Sequence, residues 1–152
     1  MMRPDTANID RMSGRELKAE LIPVILGKAE GMGDVLRILR REAVSRPTIF
    51  IGMGTCGLGA GAAATLEGIK GYLKEKEIEA DIVEVGCIGL CACEPLVDVQ
   101  LPGRPRISFQ HVTSDRVHPV LDGVFSDSLP EDIRKNDVLL QFEPNSGDEP
   151  WD

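Results

Sequence analysis

The chain has 152 residues, of which 42% are hydrophobic and 28% are charged, and its formal net charge is -8 at pH 7. The length allows one domain with extensions, and the acidic charge argues against nucleic acid or an anionic membrane surface as a partner. No run approaches the roughly 18 apolar residues of a membrane span, and the N-terminus lacks the apolar core of a signal peptide. We therefore expect a cytoplasmic protein without membrane insertion, whose four cysteines stay reduced and act as metal ligands or redox groups.

Residues 1–46 are predicted to form a short helical extension. Ser13 and Glu16 fit a capping box at the start of a first helix, and a second amphipathic segment runs from about Gly33 to Val44. This pattern indicates a helical hairpin that packs on the domain or on a partner.

A strand, a helix and a second strand are predicted next. The apolar, β-branched runs Thr48–Met53 and Ala80–Val85 are typical of buried strands. Between them, apolar residues recur at helical spacing from Leu58 to Leu73 and predict one amphipathic helix. A βαβ unit of this length requires parallel strands and a right-handed crossover.

Two further strands are predicted at Pro95–Val99 and Arg106–Phe109, and the Pro-Gly turn between them indicates an antiparallel hairpin. A short closing helix begins near Val112. A mixed sheet with a βαβ unit, a C-terminal β-hairpin and a helix corresponds to a thioredoxin-like α/β fold, which we assign to residues 47–125.

The last segment, residues 126–152, is rich in acids and prolines. Its few apolar residues include Leu139, Leu140 and Trp151. We predict an extended acidic tail that becomes ordered only when it docks on a partner subunit.

The cysteines follow the two strands of the βαβ unit. Cys56 lies in a glycine-rich turn after the first strand, and Cys87, Cys91 and Cys93 lie in the loop after the second strand. Adjacent parallel strands would bring both loops to one end of the sheet. Thiolates suit an iron–sulfur cluster, zinc or copper(I), although the absence of a Cys-x-x-Cys pair argues against a zinc ribbon. Buried structural thiols and a dithiol–disulfide couple of Cys91 and Cys93 are the alternatives.

The glycines around Cys56 also invite a phosphate-loop interpretation, because Gly52, Gly54 and Gly57 have the spacing of a dinucleotide-binding loop. No acidic residue ends the second strand at the position that a ribose would need, since Glu84 lies too deep in that strand. We expect instead that the glycines let the backbone wrap around an inorganic group.

Three segments carry a resemblance to a known family: residues 52–58, 86–91 and 94–99. They resemble the thioredoxin-like [2Fe-2S] ferredoxins, and more narrowly the N-terminal domain of NADH-binding flavoprotein subunits in bacterial hydrogenases, formate dehydrogenases and complex-I-like enzymes. The resemblance covers residues 47–122 well. It implies a non-catalytic electron-transfer subunit, with FMN and NAD(P)H on a partner chain.

The resemblance also implies that Cys56, Cys87 and Cys91 hold a [2Fe-2S] cluster. The fourth ligand is then Cys93, a non-cysteine group or a group from a partner, and an empty site is the remaining alternative. The family takes two cysteines from the first loop region, where this chain has only Cys56. The expected partners are an NADH-binding flavoprotein subunit and other iron–sulfur subunits of a multi-subunit oxidoreductase complex. A cluster-free subunit that anchors the flavoprotein, and a thiol–disulfide redox protein using Cys91 and Cys93, are the competing hypotheses.

Overall fold

The computed structural model of the chain describes residues 44–142 and Trp151. The predicted helical extension, residues 1–46, therefore lies outside the described residues except for its last three positions. In the described part, no helix is both long and apolar enough to span a membrane. The elements, in chain order, are β1 Thr48–Gly52, α1 Thr55–Ala60, α2 Ala62–Glu75, β2 Asp81–Val85, a 3₁₀ turn Cys91–Cys93, β3 Val97–Gln100, β4 Ile107–Phe109, α3 Val117–Phe125, α4 Glu131–Asn136 and β5 Val138–Gln141.

The strands form one mixed sheet in the order β2-β1-β3-β4-β5. β1 and β2 are parallel, with Thr48 beside Asp81 and Gly52 beside Val85. The pairs β1–β3, β3–β4 and β4–β5 are antiparallel. The βαβ unit, the hairpin and the closing helix predicted from the sequence are thereby confirmed, and the fold is a thioredoxin-like α/β fold.

The core lies between one face of the sheet and the helices α2 and α3. Alternate strand residues supply its sheet side, and the buried residues of this layer include Ile49, Ile51, Val97, Val99, Ile107, Phe109, Leu66, Ile69, Val117 and Val120. The Tyr72 hydroxyl donates a hydrogen bond to Asp122 at 2.9 Å and so joins α2 to α3. Burial of each large apolar side chain stabilises the fold by about 1.5–3 kcal/mol.

The opposite face of the sheet is held together by a polar and aromatic cluster. The Arg106 guanidinium lies 4.3 Å from the Phe50 ring centre and 4.9 Å from that of Phe142. Its Nε donates to Asp98 at 2.9 Å, and the Ser108 hydroxyl donates to the same carboxylate at 2.5 Å. These contacts join β1, β3 and β4 to the residue that follows β5.

The helix predicted from Leu58 to Leu73 is two helices, α1 and α2. Gly61 separates them because it adopts a left-handed conformation, with φ 100°, and its N–H caps the carbonyl end of α1. Only glycine adopts this conformation at no steric cost. The break leaves Cys56 on a short helix of its own.

The prediction that residues 126–152 form an extended tail is wrong for the part that the structure describes. α4 and β5 fold onto the domain: Ile133 is fully buried, and β5 pairs with β4 as an edge strand. Trp151 is 8% exposed within the core cluster, and its indole N–H donates to the Pro105 carbonyl at 2.8 Å. The segment orders against its own domain because these few apolar residues meet a ready-made sheet edge. Its docking on a partner stays a prediction.

Replacing Trp151 with alanine should therefore destabilise the domain. The expected loss in the free energy of unfolding is about 3–5 kcal/mol, the usual cost of truncating a buried tryptophan. The matched control is Leu140→Ala on β5, where the side chain is 43% exposed and a much smaller loss is expected. Urea unfolding measures the loss in the free energy of unfolding for both variants. Equal losses would contradict a stabilising role for the Trp151 contact.

Candidate metal centre

The parallel pairing of β1 and β2 brings the two cysteine-bearing loops together. The strands end side by side, at Gly52 and Val85, and the Met53 N–H donates to the Val85 carbonyl at 2.8 Å just beyond the sheet. α1 then carries Cys56, whereas the other loop leads through Cys87 to the 3₁₀ turn Cys91–Cys93. The prediction that both loops meet at one end of the sheet is confirmed.

Two glycines after β1, Gly54 and Gly57, stand where there is no room for a side chain. A Cβ on Gly54 would lie 2.8 Å from the Cys87 nitrogen and 2.9 Å from the Cys87 Cβ. A Cβ on Gly57 would lie 2.3 Å from the Gly52 carbonyl oxygen. Real Cβ atoms do not approach that closely, so both positions need glycine for space rather than for an unusual φ.

Three sulfurs converge between the loops. The Sγ atoms of Cys56, Cys87 and Cys91 all lie within 4.8 Å of one another. Cys56 and Cys91 share a hydrogen bond with their sulfurs 2.9 Å apart, and the sulfurs of Cys87 and Cys91 are 3.6 Å apart. All are free thiols, and the separations exceed the roughly 2.05 Å of a disulfide. This group could hold a metal ion.

Cys93, the fourth predicted ligand, lies outside this group of three. It is half-buried at the end of the 3₁₀ turn. Its N–H donates to the Leu90 carbonyl at 2.9 Å, and its carbonyl accepts the His111 N–H at 2.9 Å. The backbone of Cys93 is therefore fixed on both sides, to the cysteine loop and to the segment after β4.

Two of the three thiols, those of Cys87 and Cys91, differ in their affinity for protons. The Gly89 N–H donates to the Cys87 sulfur at 3.3 Å, and this bond, with further help from Cys91, lowers the pKa of Cys87 below its usual value. Hydrogen bonds with Cys56 and then Cys87 raise the pKa of Cys91 to about 12. Neighbouring thiolates repel each other, so one thiol of such a group loses its proton early and another keeps it.

Glu94 is a site residue whose role the sequence did not reveal. It is 6% exposed, and its carboxylate accepts the Leu96 N–H at 2.8 Å. The same carboxylate fills the space beside Gly52 and Gly57, where an added Cβ would lie 2.8 Å and 3.2 Å from its oxygen Oε2. Nothing in the sequence distinguishes this glutamate from the many exposed ones, because its burial depends on glycines some forty residues away.

No protein-family model matches the chain, and no curated protein matches it. Similar solved structures include two of the thioredoxin-like [2Fe-2S] ferredoxin from Aquifex aeolicus, each at 13% identity, with TM-scores of 0.52 and 0.51. They cover 66% and 64% of this chain and 96% and 99% of the ferredoxin. A cysteine-to-serine variant of that ferredoxin matches at 12% identity and a TM-score of 0.51, over 62% of this chain and 98% of its own. The likeness supports the thioredoxin-like fold.

Gly54→Ala should weaken metal binding at this site. The added methyl would collide with the Cys87 backbone and push the second loop away, so the sulfurs would no longer converge. Gly59→Ala is the matched control, five residues further on in α1, because a Cβ there meets nothing within 4 Å. Titration of the metal-free variants with Co²⁺, followed by thiolate-to-metal absorbance, compares them; similar affinities for both would contradict the role of Gly54.

In the metal-free protein, Cys87 should be alkylated before Cys91 at neutral pH. The thiolate is the nucleophile, and a lower pKa gives Cys87 the larger thiolate fraction. A limiting amount of iodoacetamide followed by peptide mass spectrometry identifies the modified residue. Earlier modification of Cys91 would show that the Gly89 hydrogen bond does not control this site.

Proposed function

We propose that this chain is an electron carrier that holds a [2Fe-2S] cluster at the cysteine group of Cys56, Cys87 and Cys91. The observation that carries the proposal is the convergence of these three sulfurs within 4.8 Å on two loops of a thioredoxin-like domain. The similar ferredoxin structures, which are described as [2Fe-2S] proteins, support the choice of cluster. The chain supplies ligands and surroundings and catalyses no reaction by itself.

The donor set fits such a group. Thiolates are the ligands of iron–sulfur clusters, and these thiols are free. The 3.6 Å between the sulfurs of Cys87 and Cys91 is close to the ~3.8 Å that two sulfurs on one tetrahedral metal require when each metal–sulfur bond is about 2.3 Å long. One sequence segment therefore provides a pair of ligands at the right separation for one metal.

The other residues of the site support this pair. The Gly89 N–H stabilises negative charge on the Cys87 sulfur, and such bonds raise the reduction potential of a cluster. The buried Glu94 carboxylate packs between the loops and keeps their ends in register. Cys87 and Cys91 are exposed, so a cluster held by them would lie at the surface of the single chain. When bound, a [2Fe-2S] cluster supplies transfer of single electrons.

The wider setting that the proposal includes is a cytoplasmic, flavin-linked oxidoreductase complex. The support is the resemblance of the glycine and cysteine segments to the N-terminal domain of NADH-binding flavoprotein subunits. FMN and NAD(P)H then belong to the flavoprotein partner, and other iron–sulfur subunits continue the electron path. A thiol–disulfide function for Cys91 and Cys93 is less well supported, because the pKa of Cys91 is raised to about 12 and a redox dithiol needs a reactive thiolate.

The proposal predicts iron and acid-labile sulfide in equal amounts in anaerobically purified protein. The oxidised protein should absorb in the visible range, and the reduced protein should give the EPR signal of a [2Fe-2S] centre. Cys87→Ser should lose most of the iron, whereas Cys93→Ser, the matched control in the same loop, should keep it. Zinc in place of iron, or folded protein with no metal, would falsify the electron-carrier function and favour a single-ion or purely structural subunit.

A further inference from the structure

The group of three sulfurs supplies ligands for one metal rather than for two. A [2Fe-2S] cluster has four ligands, two on each iron, so its ligand sulfurs form two pairs at opposite ends of the iron–iron axis. In this chain, the sulfurs of Cys56, Cys87 and Cys91 lie together within 4.8 Å. They can provide the pair at one end of the axis, and the pair at the other end has to come from elsewhere.

This chain offers at most one further thiol, that of Cys93, for the second pair. It has four cysteines, and all four lie among the described residues. Cys93 is outside the sulfur group, and hydrogen bonds to Leu90 and His111 hold its backbone on both sides. A single chain thus leaves one iron without its pair of thiolates.

The two segments that carry the sulfurs are apolar and uncharged. Three exposed side chains on the two loops form what we term the collar: Leu58 is 50% exposed, Ile88 68% and Leu90 42%. Residues 53–66 and 85–93, which include the cysteine group and the collar, contain no Asp, Glu, Lys or Arg, in a chain of which 28% is charged. Exposed apolar side chains without charges are typical of the centre of an interface.

We infer that a second copy of this chain supplies the second pair, so that one [2Fe-2S] cluster bridges two chains. Each copy contributes two thiolates, for which the exposed Cys87 and Cys91, 3.6 Å apart, are the best placed. The cluster has a two-fold axis between its irons, and the commonest homo-oligomers are two-fold dimers. The collars of the two copies then face each other around the cluster. This inference rests on the proposed [2Fe-2S] function.

The negative charge of each chain favours a contact between the two copies at the uncharged collar. Each chain carries a formal charge of -8, so two copies repel one another wherever acidic side chains meet. The collar side chains carry no charge, so they add nothing to that repulsion. Three side chains per copy are far less than the roughly 1,200 Å² that a stable interface buries. We therefore expect the metal-free protein to be a monomer and the cluster-loaded protein to be a dimer.

The test is the mass and composition of the full-length protein with and without its cluster. Light scattering coupled to size exclusion should give a dimer containing one iron and one sulfide per chain, and removal of the cluster by a chelator should give monomers. Higher salt should leave the dimer intact or strengthen it, because salt screens repulsion between acidic chains. A monomer with two irons and two sulfides per chain would overturn the bridging arrangement but keep the electron-carrier function. Protein without iron and sulfide would overturn both.

A pair of lysine variants tests the collar. Ile88→Lys places a charge where the two copies meet and should lower both dimer and cluster content by about tenfold or more, since an unpaired charge is costly to bury. Leu140→Lys changes an exposed side chain of β5, 43% exposed, and should leave both unchanged. Circular dichroism establishes that each variant is folded. Equal cluster content in the two folded variants would contradict the inference, and the composition of the wild-type protein decides the matter if Ile88→Lys does not fold.

Discussion

The parallel pairing of β1 with β2 is the constraint on which the site depends. Because Gly52 and Val85 are partners in the sheet, the loops that follow them must leave from the same edge. Glycine at position 54 then avoids a collision with Cys87 on the other loop, and glycine at position 57 avoids one with the Gly52 carbonyl of its own segment. Convergence of cysteines separated by thirty-one and thirty-five positions in the sequence is thus a consequence of strand register and of two missing methyl groups.

Bringing the thiols together has an electrostatic cost that a metal removes. Without a cation, deprotonation of one thiol opposes deprotonation of the next, and the pKa of Cys87 is lowered while that of Cys91 is raised to about 12. A bound cation stabilises all the thiolates at once, and binding therefore releases protons. The geometry that makes Cys91 a poor nucleophile in the metal-free protein is the geometry that makes it a good ligand.

Local patterns predicted most of the fold, and contacts between distant residues account for what they missed. The strands at Thr48–Gly52 and Asp81–Val85 have runs of apolar residues that indicate strands without further context. The division of the helix at Gly61 was missed because the sequence around it contains several glycines, and which one adopts a positive φ depends on packing. The C-terminal segment was predicted to be extended because its apolar residues are sparse. These apolar residues are buried against the sheet of the domain, and a count of apolar residues within the segment cannot predict that burial. Three of the four predicted ligands come together. Cys93 lies outside the group, in a turn whose backbone contacts the distant His111, and such a contact cannot be predicted from local sequence.

The placement of charge around the site has a consequence for any cluster that it holds. Adding an electron to a cluster is harder where negative groups are near, and its potential falls accordingly. The chain is acidic overall, yet the segments around the cysteines carry no charged residue except Glu94 at their end. Glu94 is close enough to offset a small part of the lowering of the Cys87 pKa. The Gly89 N–H acts in the opposite sense on the same sulfur. Because Glu94 packs against Gly52 and Gly57, the geometry of the site keeps one carboxyl group close to Cys87, and the Gly89 backbone dipole opposes its effect on that sulfur.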